Sequence, residues 1–284
     1  MDSFGRHLRP LWHLDADGTF LNHGSFGACP KEVLAAQSAW RERMERQPDV
    51  FFRRHVFPRD EDHAVRAAAA RLAGFVGTEG DRIAFVVNAT EAVNTVLRSV
   101  DLRPGDEVLV LDCVYNAVRL AAEERCRSLG ARVVKVALPI PLTANDVVER
   151  IADAAGPRTR LAIIDHIASP TAVLLPVAEI TRALKPKGVR VMIDGAHALG
   201  QLALDLPAIG ADWYTANAHK WLFAPKGSAF LYATKDVAEM TCPLSVSHWH
   251  DLRFPRAFDY AGTRDVSAFL SVPAALDFIA RFGA

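Results

Sequence analysis

Residues 189–233 read VRVMIDGAHALGQLALDLPAIGADWYTANAHKWLFAPKGSAFLYA. A short β-branched run ends in Asp194, and His197 follows it closely. A second strand is predicted over 212–215. It leads into Ala-Asn-Ala-His-Lys, so Asn217, His219 and Lys220 fall in the loop after it. A third strand is predicted over 228–233. An acid, a histidine and a lysine thus arrive at strand ends, where α/β folds place their chemistry.

The same rhythm runs upstream. Short apolar stretches at 83–87, 107–111, 132–136 and 160–165 alternate with helical patterns. Asn88 or Thr90 would cap the helix after the first of these, and Thr143 the one after the third. Short buried strands between helices of one to two dozen residues predict a mostly parallel sheet of seven strands covered on both faces, an α/β fold. Residues 1–63 are expected to form an N-terminal segment and a helix over 31–46 that pack on a large domain of residues 64–250. Residues 47–63 read as a surface crossing. Residues 251–284 are expected to begin a C-terminal portion.

Composition narrows the function classes. Lys+Arg and Asp+Glu both count 33, so the net charge is zero, which argues against a general nucleic-acid or anionic-membrane binder. The four cysteines form no C-x-x-C pair, as a zinc ribbon would need. No apolar run approaches the roughly 20 residues that span a bilayer, and the first residues lack a signal-peptide core. The expectation is a soluble cytoplasmic protein. There is no G-x-G-x-x-G after a strand, no P-loop, no H-E-x-x-H and no G-x-S-x-G elbow.

Taken singly, Asp194 would cap a helix, His197 and Tyr115 would pack, and Lys220 would be a solvated lysine. Taken together they meet the needs of pyridoxal 5'-phosphate (PLP). A carboxylate at a strand end can keep a pyridine nitrogen protonated, and a loop lysine can form a Schiff base with the aldehyde. Asn88-Ala89-Thr90 opens a helix whose N-terminus suits a phosphate. Tyr115 is placed to lie against a ring.

At this point the chain resembles the class V aminotransferase family of PLP enzymes, with the aspartate aminotransferase fold (fold type I), in the branch of isopenicillin N epimerase and related lyases. The matching segments are FLNHGSFGACP, NATEAVNTVL, DCVYNAVR, DHIASPTAVLLPV, DGAHALGQLALDL, GADWYTANAHKWLFAPKGSAFLY and YAGTRD, in family order. The resemblance implies that Lys220 carries the Schiff base and moves the proton at the substrate Cα. It implies that Asp194 pairs with the pyridine nitrogen and that His197 lies by the ring. Ala89 and Thr90 would bind the phosphate, with Asn217 and His219 adding contacts. Tyr115 would stack, and Ser169 or Thr171 would face the ring. Thr263 would reach the phosphate of a partner subunit, so an amino-acid site shared across a homodimer is implied.

Two departures and two alternatives stay open. Cys113 stands where many relatives carry a histidine, and Thr171-Ala172 where they carry Thr-Gly. Relatives continue into a small domain that supplies a carboxylate-binding arginine. The expectation here is a chain without that domain, with exposed apolar surface in consequence. Arg53, Arg54, Arg253, Arg256 and Arg264 are the candidates for that role. The resemblance implies an epimerase, a C–S lyase or an aminotransferase. The first alternative is a non-catalytic fold type I fragment. A desulfurase-like enzyme ranks lower, because no cysteine lies in a nucleophile motif. A metal-dependent hydrolase on Asp165, His166, His248, His250 and Asp251 rests only on the density of ligand-type side chains.

Overall fold

A computed structural model describes residues 5–57, 63–138, 141 and 143–283. Seven strands form one sheet: β1 (Ile83–Val86), β2 (Glu107–Leu111), β3 (Arg132–Val136), β4 (Thr159–Asp165), β5 (Arg190–Asp194), β6 (Trp213–Asn217) and β7 (Ala229–Ala233). Their order is β1-β7-β6-β5-β4-β2-β3. Only β7 runs against its neighbours. The expected α/β fold with a mostly parallel seven-stranded sheet is what the chain forms.

Alternation along the strands divides the core in two. In β2, Leu109 and Leu111 join one apolar cluster and Val108 and Val110 the other. In β5, Val191 and Ile193 enter the first and Met192 the second. That is the two-residue period of a strand buried on both faces. At the edge, β3 is only partly covered, and its Arg132 and Lys135 pair with Glu107 and Glu123. Charged side chains on an exposed edge discourage pairing with another sheet.

Helix starts follow the local chemistry. Thr143 caps helix Ala144–Ala154, with Asp146 returning a bond to the Thr143 backbone N–H at 2.9 Å, a complete capping box. Asn88 caps helix Ala89–Ser99 by accepting the Glu91 N–H at 2.8 Å. The expected surface crossing over 47–63 is corrected in part. Pro48–His55 is a helix whose Phe51 is buried against Trp40 and His55. Residues 58–62 lie outside the described residues.

Residues beyond 250 share the same core. Helices Ser267–Leu270 and Val272–Ala280 pack on helices Lys31–Arg46 and Ala64–Phe75, and Phe269 stacks on Phe85 with centroids 5.1 Å apart. Beneath them, Asp259 is fully buried. It binds Arg66 at 2.6 Å and faces His63 Nε2 at 3.4 Å. This ion cluster ties the chain beyond 250 to β1, because Arg66 also donates to the Ile83 carbonyl at 2.7 Å.

Candidate active site

The C-terminal ends of β4, β5 and β6 open into a cavity of about 470 Å³. Asp194 and Asn217 end β5 and β6, and Asp165 ends β4. All three continue the sheet face of Leu161, Ile163, Met192 and Trp213, the face on which helix Ala89–Ser99 packs. The helix N-terminus therefore points into the space these side chains line. Asn217 fixes that placement by accepting the Ala89 N–H at 2.9 Å. The Asn217 and Asn88 side chains take the Ala89 and Glu91 N–H groups, and neither claims the Thr90 N–H.

Lys220 enters from the loop after β6. Its Nζ lies 3.3 Å from His197 Nε2. Burial lowers the Lys220 pKa, and the nearby Asp194 opposes that shift. Burial, and then the charge of Lys220, drive His197 down to about 4, so its imidazole is neutral at neutral pH and can accept a hydrogen bond. Trp221 Nε1 sits 3.4 Å from the other ring nitrogen and sets the ring's orientation. His219 is held by the Ser228 carbonyl at 2.8 Å.

Close backbone approaches make this packing possible. A Cβ on Gly27 would collide with the His219 carbonyl and sit 2.7 Å from the Lys220 carbonyl oxygen. A Cβ on Gly195 would overlap the Tyr214 hydroxyl. That hydroxyl shares a 2.8 Å hydrogen bond with His166 Nδ1 on the opposite face of the sheet.

Asp194 is buried, and its Oδ1 accepts the Ala196 N–H at 3.0 Å. Desolvation raises its pKa, against the attraction of Lys220. A carboxylate so placed gains from a cationic hydrogen-bond donor in the cavity. Asp165 is raised to about 8, first by burial and then by Asp194.

The cavity brings together Ala89, Thr90, Tyr115, Ser169, Asp194, His197, Asn217, His219 and Lys220, nearly all of the side chains singled out from the sequence. Thr171 is placed elsewhere. It lines a neighbouring, mostly apolar cavity with Cys113 and His166, because the loop after β4 turns at Ala172 with φ +56°. Thr263 is exposed outside the cavity, its hydroxyl 3.1 Å from that of Tyr260. None of the five candidate arginines lines the cavity. Among the described residues no group of three or more His, Cys, Asp or Glu is arranged to hold a metal, so the hydrolase alternative has no centre there.

Sequence reasoning passed over Gly24, Phe26 and Lys226, which also line the cavity. Lys226 donates to the Gly27 carbonyl at 2.9 Å and so pins the loop before residue 30 to the site. The only signal for it was a second lysine in a Pro-Lys-Gly turn. Asp165, considered only as a metal ligand, is part of the same wall.

The aminotransferase class-V family model matches residues 27–284. Isopenicillin N epimerase of Amycolatopsis lactamdurans is 37% identical over 289 residues, covering 95% of this chain and 71% of that protein. L-cysteine desulfhydrase of Arabidopsis thaliana is 34% identical over 280 residues, covering 92% of this chain and 60% of that protein. The chain spans 59–60% of the length of its first plant relatives. Among solved structures, a lysine-to-alanine mutant of C-DES with glycine covalently linked to the PLP cofactor aligns with a TM-score of 0.84. It is 23% identical and covers 98% of this chain and 74% of that one.

Proposed function

Because the chain belongs to the class-V aminotransferase family, we propose that it is the PLP-binding part of an enzyme acting at the Cα or Cβ of an amino acid. The observation that carries this reading is one cavity holding a desolvated lysine, a buried carboxylate and a helix N-terminus. The residues fit the cofactor. Asp194 is desolvated beyond what the attraction of Lys220 offsets, so a cationic ring nitrogen would be a favourable partner for it. The Thr90 hydroxyl and N–H stand at the positive end of a helix, where an anion is favoured.

When bound, PLP supplies an electron sink that weakens the bonds at the amino acid's Cα. Lys220 would be the amine that holds the cofactor, and its neutral form would move the proton at Cα. Its lowered pKa raises the fraction of neutral amine, and the neutral His197 ring at 3.3 Å can accept a hydrogen bond from it and so orient it. Asp194 would hold the ring nitrogen in its cationic form. Tyr115, about half exposed at the cavity wall, would lie against the ring, and Ser169, in the same wall, would also face it.

The relatives named as epimerase and desulfhydrase support epimerisation or C–S bond cleavage over transamination. A desulfurase mechanism has less support. None of the four cysteines lines the cavity, and burial pushes the Cys29 and Cys113 thiols up to about 12 and about 11. A homodimer in which Thr263 serves the partner's phosphate, and a cytoplasmic location, belong to the same proposal. No helix among the described residues is long and apolar enough to cross a membrane.

Absorbance spectroscopy after incubation with PLP and desalting tests this reading. A near-visible band retained by the wild type and lost in Lys220→Ala is expected. Identical spectra would refute it and favour the non-catalytic alternative.

A further inference from the structure

The mechanism leaves one buried acid of the cavity without a task. β4 and β5 are parallel, with Asp165 and Asp194 as register partners. Both continue the face of Leu161, Ile163 and Met192, so both side chains leave the sheet on the same side. Neighbouring strands lie about 4.8 Å apart, which sets the scale of the separation. Both residues are buried and both form the cavity wall. Asp165 accepts the Tyr115 N–H, yet its Oδ2 has no hydrogen-bond partner. Two dry carboxylates at that spacing do not both ionise, because little solvent separates their charges.

The surrounding groups decide where the proton rests. From β5, Asp194 repels a charge on Asp165. From the turn after β2, Cys113 is a neutral thiol, raised by its own burial and by Asp165. From the loop after β6, Lys220 favours the charge on Asp194. The Tyr214 hydroxyl of β6 is kept neutral by burial and by Asp194. On β4 itself, His166 faces the opposite side of the sheet and is also neutral, lowered to about 4 by burial. His197 and His219 are the other titratable neighbours of Lys220, and burial and the charge of Lys220 disfavour protonation of both.

We propose that Asp165 is a positioning residue of the cofactor site: a neutral acid that shares one proton with Asp194, so that the cavity floor carries a single negative charge beneath the ring nitrogen. The orphaned Oδ2 is then the atom that bears the proton or faces it. A floor with two charges would over-stabilise cations at this point and would cost more to bury. A floor with none would leave a cationic ring unpaired. The inference rests on the PLP reading of the cavity.

Infrared spectroscopy of the purified protein tests the shared proton without reference to turnover. The expected result is a protonated-carboxyl C=O stretch at neutral pH that disappears as pH rises through about 8 and is missing in Asp165→Asn. For bound PLP, the absorbance of the wild type is expected to change over the same pH range, and Asp165→Asn to lose that change. Absence of the stretch in the wild type, or its persistence in Asp165→Asn, overturns the proposal. So does an identical absorbance–pH profile in the two proteins. If Asp165→Asn does not fold, the infrared titration of the wild type decides alone. A wild type that shows the stretch but takes up no PLP sinks the cofactor reading, and with it the role beneath the ring, while leaving the shared proton in place.

Discussion

Replacing Asn217 by alanine isolates the bond that aims helix Ala89–Ser99 at the cavity. Asn217 is 5% exposed, and its Oδ1 accepts the Ala89 N–H at 2.9 Å across 128 residues of sequence. Ala89 is itself 5% exposed. The truncation therefore strands a buried backbone donor, which costs about 1–3 kcal/mol. Urea denaturation of the cofactor-free protein should show that loss as a lower midpoint with an unchanged slope. Binding should partly repair it. Ala89 and Thr90 both line the cavity at the helix N-terminus, so a phosphate bound there would give the freed donor a new partner. The stability deficit of Asn217→Ala is thus expected to shrink at saturating PLP. A cofactor-free stability within about 0.5 kcal/mol of wild type, the range of an ordinary surface substitution, would refute the reasoning.

Three further outcomes follow from the geometry. Gly27→Ala forces a Cβ against the His219 and Lys220 backbone; overpacking of this kind costs about 1–3 kcal/mol, and PLP titration should show weakened binding as the Lys220 loop is displaced. Asp259→Ala leaves Arg66 buried without its 2.6 Å partner, and breaking a buried pair in this way costs about 3–5 kcal/mol; a denaturation midpoint equal to wild type would show that the cluster is not what ties the chain beyond 250 to β1. His166 is lowered to about 4 from its ordinary 6.5 by burial, so its neutral form contributes stability above pH 6.5 that is lost as pH falls towards 4; thermal melts across that window should be flatter for His166→Gln than for wild type by about one proton's worth of slope.

Most strands were legible because they are short apolar runs buried on both faces, so hydrophobicity marked them, with β3 at the partly covered edge marked by its valines. Helix starts at Asn88 and Thr143 were legible because capping is local chemistry. Helix Pro48–His55 was not. Its apolar residues, Val50, Phe51 and Phe52, are consecutive rather than spaced at a helical period, and the burial of Phe51 against Trp40, a tertiary contact, marks its inner face. Lys220, Asp194 and Asn217 converge because all follow or end strands on one sheet edge, which sequence order can indicate. Thr171 strayed because the facing of a loop residue has no period, and the turn at Ala172 is set by packing. Asp165 was visible as an acid at a strand end. Its meaning as half of a carboxylate pair required the register of β4 on β5, which no local pattern encodes.

Two lysines, Lys220 and Lys226, line the cavity, and the account assigns the cofactor to the first. Borohydride reduction of the PLP-treated protein followed by peptide mass mapping distinguishes them directly. The account predicts a single phosphopyridoxyl group on the peptide carrying Lys220, with none in Lys220→Ala. Label on Lys226, or spread over surface lysines with Lys220 unmodified, would contradict it.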